Sequence, residues 1–112
     1  MSTTISFDDF TKLDIRIGTI LEVNDFPKAH KPAYQLKIDF GRLGIKKSSA
    51  QITELYSKAD LINRQIVAVI NFKPKQIADF ISECLVLGVA NAEGAIVLLQ
   101  TGSPTKNGMQ IS

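Results

Sequence analysis

Residues 13–23 read Leu-Asp-Ile-Arg-Ile-Gly-Thr-Ile-Leu-Glu-Val, a long run in which apolar and polar residues alternate. A period of two is typical of a β-strand that has one face in a core and one face in water. The predicted apolar face consists of Leu13, Ile15, Ile17, Leu21 and Val23. Gly18 lies in the middle of this strand and has no side chain to pack, so we interpret it as a β-bulge or a sharp bend.

Shorter strands follow this one along the chain. Alternating or apolar runs predict strands over 34–40, 45–50, 65–72, 83–89 and 95–99, separated by loops and turns that contain Gly, Pro and Asn. A short helix is predicted over 53–62, with Thr53 as its N-cap and Leu55, Ala59 and Ile62 on its apolar face. A helical turn near the N-terminus is expected to place Phe7 and Phe10 on the barrel or in a dimer contact.

The element order β-β-β-α-β-β predicts an all-β protein with an OB-fold: a five-stranded Greek-key barrel with one short helix after the third strand and short terminal extensions. A length of 112 residues leaves room for one core, so residues 1–112 are expected to form a single domain. Three predicted strand segments, 66–70, 85–89 and 96–99, are apolar on both faces. Some of this outer apolar surface is therefore expected to be buried, most simply against a second copy of the chain. This predicts a homodimer.

Bulk properties exclude several classes of protein. The longest apolar runs are too short to span a bilayer, so no membrane insertion is expected. The N-terminus carries Asp8 and Asp9 and has no basic region ahead of an apolar one, so a signal peptide is not predicted and a cytoplasmic location is expected. Cys84 is the single cysteine and lies in an apolar run, where a role in packing is the favoured interpretation.

Catalytic patterns are missing from the sequence. His30 is the single histidine, in a loop flanked by prolines, and no cysteine or second histidine lies near it in sequence. Neither a zinc site nor a Ser-His-Asp arrangement can be assembled in one chain from these residues, and no glycine-rich phosphate loop follows a strand. We therefore predict no catalytic residues, no metal, no cofactor and no enzymatic activity.

Two basic segments, 46–51 and 71–76, offer chemistry suited to RNA. The formal net charge is only +2, so attraction for nucleic acid depends on local clusters. Lysines neutralise phosphates, Ser, Asn and Gln reach sugars and base edges, and Phe72 can stack on a base. Composition alone fits equally well with two solvated loop ends, so both readings stay open at this point.

Several motifs resemble a known family. Phe-x-x-Leu-Asp-Ile-Arg-Ile-Gly over residues 10–18 resembles the opening of the tRNA-binding domain attached to aminoacyl-tRNA synthetases. Lys-Ser-Ser-Ala-Gln-Ile-Thr over 47–53, Val-Ile-Asn-Phe over 69–72 and Ser-Glu-x-Leu-Val-Leu-Gly over 82–88 are similar, in order and spacing, to the CsaA group of small homodimeric secretion chaperones within that family. The resemblance extends over essentially the full chain.

The resemblance implies an OB-fold dimer clasped by its terminal extensions, with unfolded or pre-export polypeptides and tRNA as ligands and the export machinery as a further partner. It assigns peptide binding to a groove lined by Ser49, Asn71, Phe72 and Ile77. The residues expected to contact RNA, from the basic clusters and the family pattern together, are Lys37, Lys46, Lys47, Ser48, Asn71, Lys73, Lys75 and Ser82.

The connection after residue 70 departs from the pattern of tRNA-binding relatives, which typically read Asn-Leu-Lys-Pro-x-Lys-x-Arg-Gly-x-x-Ser-x-Gly-Met. The positions that match are Asn71, Lys73, Pro74 and Ser82, whereas Gln76, Ala78, Asp79, Cys84 and Leu85 differ. Two cations are replaced and one acid is added, which should weaken RNA binding and flatten its salt dependence.

CsaA-like proteins share most of these departures. The preferred hypothesis is therefore a CsaA-like chaperone with tRNA-binding capacity, and the alternative is a tRNA-binding protein without a chaperone role.

Overall fold

The computed structural model describes residues 3–112 and contains a nearly closed antiparallel barrel. Its strands are β1 (Ile15–Asp25), β2 (Tyr34–Asp39), β3 (Ile45–Ala50), β4 (Gln65–Val69), β5 (Lys75–Ile77), β6 (Phe80–Ser82), β7 (Leu85–Val86), β8 (Gly88–Ala90) and β9 (Ile96–Leu98). Its helices are α1 (Phe7–Thr11) and α2 (Lys58–Leu61), and one 3-10 turn spans Gly41–Leu43. The five-stranded sheet has the order β3-β2-β1-β4-β7, and β5-β6 and β8-β9 form two hairpins. The predicted OB-fold is confirmed.

β1 is bulged, but not where the sequence indicated. The register against β2 shifts between Ile20 and Glu22, so Leu21 is exposed and Ile20 is fully buried. The predicted apolar face is therefore wrong at Leu21, and Leu13 is also exposed. Gly18 is needed for close packing instead, because a Cβ atom there would lie 2.7 Å from side-chain atoms of Ile38 and Phe40.

The barrel interior is filled by β2 and its neighbours. The alternation predicted for β2 is correct, since Tyr34, Leu36, Ile38 and Phe40 are all buried. They pack with residues of β1, β4 and α2, namely Ile20, Val23, Ile66, Ala68 and Leu61. This core lies on one side of the sheet formed by β1 and β4.

The other face of β1 and β4 is covered by the chain's own ends. Ile15 and Ile17 of β1 are buried with Val67 and Val69 of β4, and Phe10, Leu87 and Ile111 pack against them. The C-terminal segment is hydrogen-bonded along β1, from Gly108 N to Ile17 O (2.7 Å) and from Ile111 N to Ile15 O (2.9 Å). On this face of β4 the cover comes from the chain itself, and the homodimer inferred from the apolar strands stays a prediction.

Helix α2 starts later than the sequence indicated. Ser57 is its N-cap and forms a capping box with Asp60, so the proposed cap at Thr53 and the helix over 53–57 are wrong. The backbone N–H of Ser57 donates to the Asp60 carboxylate, which lowers the pKa of Asp60. Leu61 is the buried residue of the helix, whereas Leu55 and Ile62 are exposed. Within residues 3–112 no helix is both long and apolar enough to cross a membrane.

Segment 71–90 contains more elements than expected. Residues 75–82 form the β5-β6 hairpin rather than a simple connection, and the predicted strand over 83–89 divides into β7 and β8. Phe10 packs on the barrel as expected, whereas Phe7 stays exposed, with its ring centroid 6.0 Å from that of Phe10.

Candidate binding groove beside the β5-β6 hairpin

The β5-β6 hairpin lies against β3 and is held there by hydrogen bonds to the β3 backbone. Ser49 N donates to Ser82 Oγ (3.2 Å), and Glu83 N donates to Lys47 O (2.7 Å). Lys47 N in turn donates to the Glu83 carboxylate at 2.9 Å. These bonds satisfy the outer edge of β3, which would otherwise be an open sheet edge, and they close the barrel next to β7.

Side chains tie the tip of the hairpin to the loop after β1. The ring of Phe80 lies 5.5 Å from that of Phe26, and the ammonium of Lys47 lies 5.3 Å from the Phe80 ring centroid. Lys28 forms a salt bridge of 3.5 Å with Asp79 at the turn. The aromatic pair and the cation-π contact keep the hairpin in one position relative to the barrel.

A groove forms between this hairpin, β3 and β7. It comprises two adjoining cavities of about 460 and 360 Å³, both lined by Ser49, Lys75 and Ile77. We call it the hairpin groove. The larger cavity is also lined by Phe72, Lys73, Ser82, Glu83, Cys84 and Leu85, and the smaller one by Ala29, His30, Lys31, Ala33, Gln51 and Gln76.

The groove combines apolar surface with free positive charge. Phe72 and Leu85 are exposed although both are large and apolar. Five of the cationic side chains form salt bridges with carboxylates: Lys12, Arg16, Lys28, Lys37 and Lys58. Lys31, Lys73 and Lys75 have no such partner among residues 3–112. The groove therefore offers an apolar floor with a cationic rim, which suits an extended peptide or the stacked bases and phosphates of RNA.

The structure brings most of the predicted site residues together. Ser49, Phe72 and Ile77 from the peptide set and Lys73, Lys75 and Ser82 from the RNA set all line the larger cavity. One surface thus contains three of the four peptide residues and three of the eight RNA residues.

Five other predicted residues lie elsewhere or are already engaged, and one of them is Lys47, whose ammonium lies over the Phe80 ring. Ser48 is fully buried and donates from Oγ to Cys84 O (3.0 Å), so its assignment to RNA is wrong. The Asn71 amide donates to Lys12 O (2.8 Å) and accepts from Asp14 N (2.9 Å). Asn71 therefore holds the segment before β1 in place and is not a groove residue. Lys37 is paired with Glu22 at 3.1 Å. Lys46 is half-buried at the start of β3.

Several groove residues were missed by the sequence reasoning. Leu85 was noted only as a departure from the family pattern, and His30 and Lys31 only as parts of a loop. They join the groove because the hairpin folds back over β3, and no local pattern encodes that contact. The one available signal was that Cys84 and Leu85 are neighbouring apolar residues in a predicted strand, so that only one of them can face the core.

Cys84 lines the groove, but it is buried and its surroundings disfavour the thiolate. Burial raises the pKa of its thiol to about 12, and the Glu83 carboxylate adds to this effect. The hydrogen bond with Ser48 acts in the opposite direction but is smaller. No group of three or more His, Cys, Asp or Glu residues in the described chain is placed to hold a metal ion.

Fold and groove together define a small OB-type binding domain, and comparison with known proteins identifies its family. Residues 15–110 match the family model described as "Putative tRNA binding domain". The chain belongs to this tRNA-binding domain family, as its motifs indicated.

Solved structures place it beside one group of that family. The chaperone CsaA of Bacillus anthracis is 52% identical with a TM-score of 0.93, over 98% of this chain and 100% of that one. The CsaA chaperone protein of Picrophilus torridus is 54% identical with a TM-score of 0.92, over 97% and 100%. The predicted resemblance to CsaA-like proteins is confirmed.

Curated relatives include much larger enzymes. The methionine–tRNA ligase of Bacteroides fragilis is 36% identical over 107 residues, which is 96% of this chain and 16% of that protein. The chain therefore spans about a sixth of the length of the curated relatives it matches. The similarity concerns a binding domain that those ligases carry, and not their catalytic part.

Proposed function

We propose that the protein is a homodimeric chaperone that binds unfolded or pre-export polypeptides in the hairpin groove and that it also binds tRNA. The observation that carries the proposal is the exposed apolar floor of the groove, formed by Phe72, Ile77 and Leu85. Large apolar side chains gathered in one concave surface mark a binding site more often than they mark ordinary surface. The similarity to proteins described as CsaA chaperones supports the same function.

An extended polypeptide also suits the backbone beside the groove. In the described structure β5 pairs only with β6, so the N–H and C=O groups on its outer edge are available to an added strand. Main-chain pairing binds a peptide without reading its sequence, while the apolar floor accepts any large apolar side chain. Together these features support binding of many unrelated unfolded chains.

The test is binding of a reduced, unfolded polypeptide and suppression of its aggregation. Phe72→Ala should weaken binding at least about tenfold, since burying a phenylalanine against a ligand contributes about 2 kcal/mol. The matched control is Leu55→Ala, because Leu55 is 46% exposed and Phe72 is 51% exposed, and Leu55 lies outside the groove. The chaperone proposal fails if the wild-type protein neither binds the polypeptide nor delays its aggregation.

The free lysines of the groove favour tRNA binding as the second activity, or as the sole one if no polypeptide binds. Lys73→Gln together with Lys75→Gln should reduce the affinity about equally for tRNAs of different sequence. The slope of log affinity against log salt should become shallower by about 0.9 for each phosphate that the variant no longer neutralises. If the wild-type protein binds tRNA and the double variant has the same slope, these two lysines do not belong to the site.

The proposal includes a cytoplasmic location and an encounter with the export machinery. Both rest on the resemblance to CsaA-like secretion chaperones. Cell fractionation checks the location, and a pull-down with the wild-type protein and the Phe72→Ala variant checks the export partners, which should depend on the groove.

A further inference from the structure

A separate cavity, of about 420 Å³, lies where the turn after β2 meets the C-terminal segment 106–109. It shares no lining residue with the hairpin groove. Three cationic side chains line it, Arg16 of β1, Arg42 of the 3-10 turn and Lys106 of the C-terminal segment. We call it the Arg16-Arg42-Lys106 cavity.

The backbone around this cavity is tightly fitted. A Cβ atom on Gly41 would lie 2.7 Å from Asn107 O, and one on Gly108 would lie 2.6 Å from Phe40 O. Both glycines have positive φ, so the close approach of the two turns requires glycine at each position. The Asn107 side chain is held as well, because it accepts from Thr19 Oγ1 at 2.7 Å. The cations therefore extend from a rigid base.

The charges at this cavity are only partly compensated. Arg16 is oriented by Asp14 at its Nε atom and donates from Nη1 to Gly108 O at 3.0 Å, which leaves its other N–H groups for a ligand. Asp39 lies at the same turn, where its carboxylate accepts from Gly41 N at 2.8 Å. No carboxylate within residues 3–112 forms a salt bridge with Arg42 or Lys106. The site keeps a net positive charge that an anion can neutralise.

We propose that the Arg16-Arg42-Lys106 cavity binds backbone phosphates of RNA and forms a second RNA contact surface besides the hairpin groove. The inference rests on the proposed tRNA-binding capacity. Arginine donors match the geometry of phosphate oxygens, and contacts of this kind position a nucleic acid without reading its sequence. Arg42 and Lys106 are exposed, so a small free anion stays hydrated when it binds and gains little free energy. A polyanion such as RNA gains additional binding free energy because its condensed counterions are released.

The experiment compares two double variants of equal net charge. Arg42→Gln with Lys106→Gln removes the two free cations of the cavity. Lys12→Gln with Lys58→Gln is the control. Both lysines are exposed, lie outside the hairpin groove and the Arg16-Arg42-Lys106 cavity, and are already paired with Asp9 and Asp25. Affinity for total tRNA is measured across a salt series, and urea unfolding checks that each variant is folded.

The cavity variant should reduce the slope of log affinity against log salt by about 0.9 for each phosphate that it no longer neutralises, or about two in all, while the control keeps the wild-type slope. The proposal is overturned if the wild-type protein binds tRNA and the cavity variant has the same slope, or if both variants flatten the slope equally. If the wild-type protein does not bind tRNA at all, the tRNA part of the proposed function fails first, and this inference fails with it.

A second measurement separates RNA from free phosphate. Inorganic phosphate is titrated at constant ionic strength while the backbone amide signals of Gly41 and Gly108 are followed by NMR. Signals that move with inorganic phosphate, together with an unchanged tRNA slope in the cavity variant, would assign the cavity to a free anion and overturn the RNA contact. Signals that move with tRNA but not with inorganic phosphate would support the RNA contact.

Discussion

The burial of the Cys84 thiol makes the stability of the folded protein depend on pH. Its thiol lies against β3, where Sγ is 3.7 Å from Lys47 O, and burial raises its pKa to about 12 from an ordinary value of 9.0. The folded state therefore favours the protonated thiol more strongly than the unfolded state does. Near neutral pH the thiolate fraction is therefore lower in the folded protein than in the unfolded chain, so alkylation of the native chain should be slow.

The raised pKa predicts a loss of stability in alkaline solution. The contribution of the neutral thiol is fully present below pH 9 and is lost as the pH rises from 9 toward 12, by up to about 1.4 kcal/mol per pH unit. We expect the free energy of unfolding of the wild-type protein to fall relative to that of Cys84→Ala between pH 9 and 10.5. Urea unfolding at several pH values measures this, and a constant difference between the two proteins would contradict the prediction.

Of two neighbouring serines on β3, one is buried in the core and the other lines the groove. Ser48 and Ser49 are adjacent on β3, and strand alternation already requires that they point to opposite faces. The sequence could not tell which of the two faces the core, because both are small hydroxyl residues. The register with β2, where Ser48 pairs with the buried Leu36, decides it, and Ser49 is left to line the groove.

At the scale of elements, the β5-β6 hairpin controls the groove. Phe80 attaches it to Phe26 and Lys47, while Ile81 on the same strand is exposed and lines no part of the groove. Phe80→Ala should loosen the hairpin and weaken binding of unfolded polypeptide, although Phe80 itself is not a lining residue. Because Phe80 is only half-buried, the cost to the free energy of unfolding should be about 1–3 kcal/mol, below that of a fully buried phenylalanine.

The control for this prediction is Ile81→Ala, which should leave polypeptide affinity and stability near wild-type values. Affinity is measured by titration with the same reduced polypeptide, and stability by urea unfolding. Equal affinity in Phe80→Ala and wild type would show that the hairpin holds its position without the aromatic contact.

The long elements were predictable and the short ones were not. β2 follows an alternating pattern and β3 begins directly after the glycine-bounded turn at 41–44, and the bounds of both agree with the sequence to within a residue. β5 and β6 have three residues each and are joined by Ala78-Asp79 instead of a typical glycine turn, with Ala78 at a φ of 54°. Contacts with Phe26, far away in sequence, hold this hairpin, and local patterns carry no information about them.

Gly18 shows the same limit in a long element. A glycine within a strand is consistent with either a bulge or a close approach, and the sequence reasoning chose the bulge. The close approach of Ile38 and Phe40 is the actual reason. The bulge itself occurs at Leu21, a residue with no turn-forming character, so the local sequence carries no signal for it.

At the scale of the whole molecule, apolar surface remains outside the groove after the terminal extensions are in place. Val89 of β8 and Val97 of β9 are direct cross-strand partners in the second hairpin, and both are exposed. Phe7 of α1 is exposed as well. A homodimer that buries the β8-β9 hairpin would account for this surface, and such an interface must use the same patch on both copies if it is two-fold symmetric.

The prediction is that Val89→Asp dissociates the dimer. In a two-fold interface the change places two like charges in one apolar contact, so each copy buries less apolar surface and gains a desolvation cost. The wild-type protein should sediment at twice the mass of one chain and Val89→Asp at the mass of one chain.

Ile45→Asp is the control, because Ile45 is 59% exposed and Val89 57%, and Ile45 lies on β3 outside the second hairpin. A wild-type protein that sediments as a single chain would contradict the dimer, and a dimeric Val89→Asp would mean that its interface lies elsewhere.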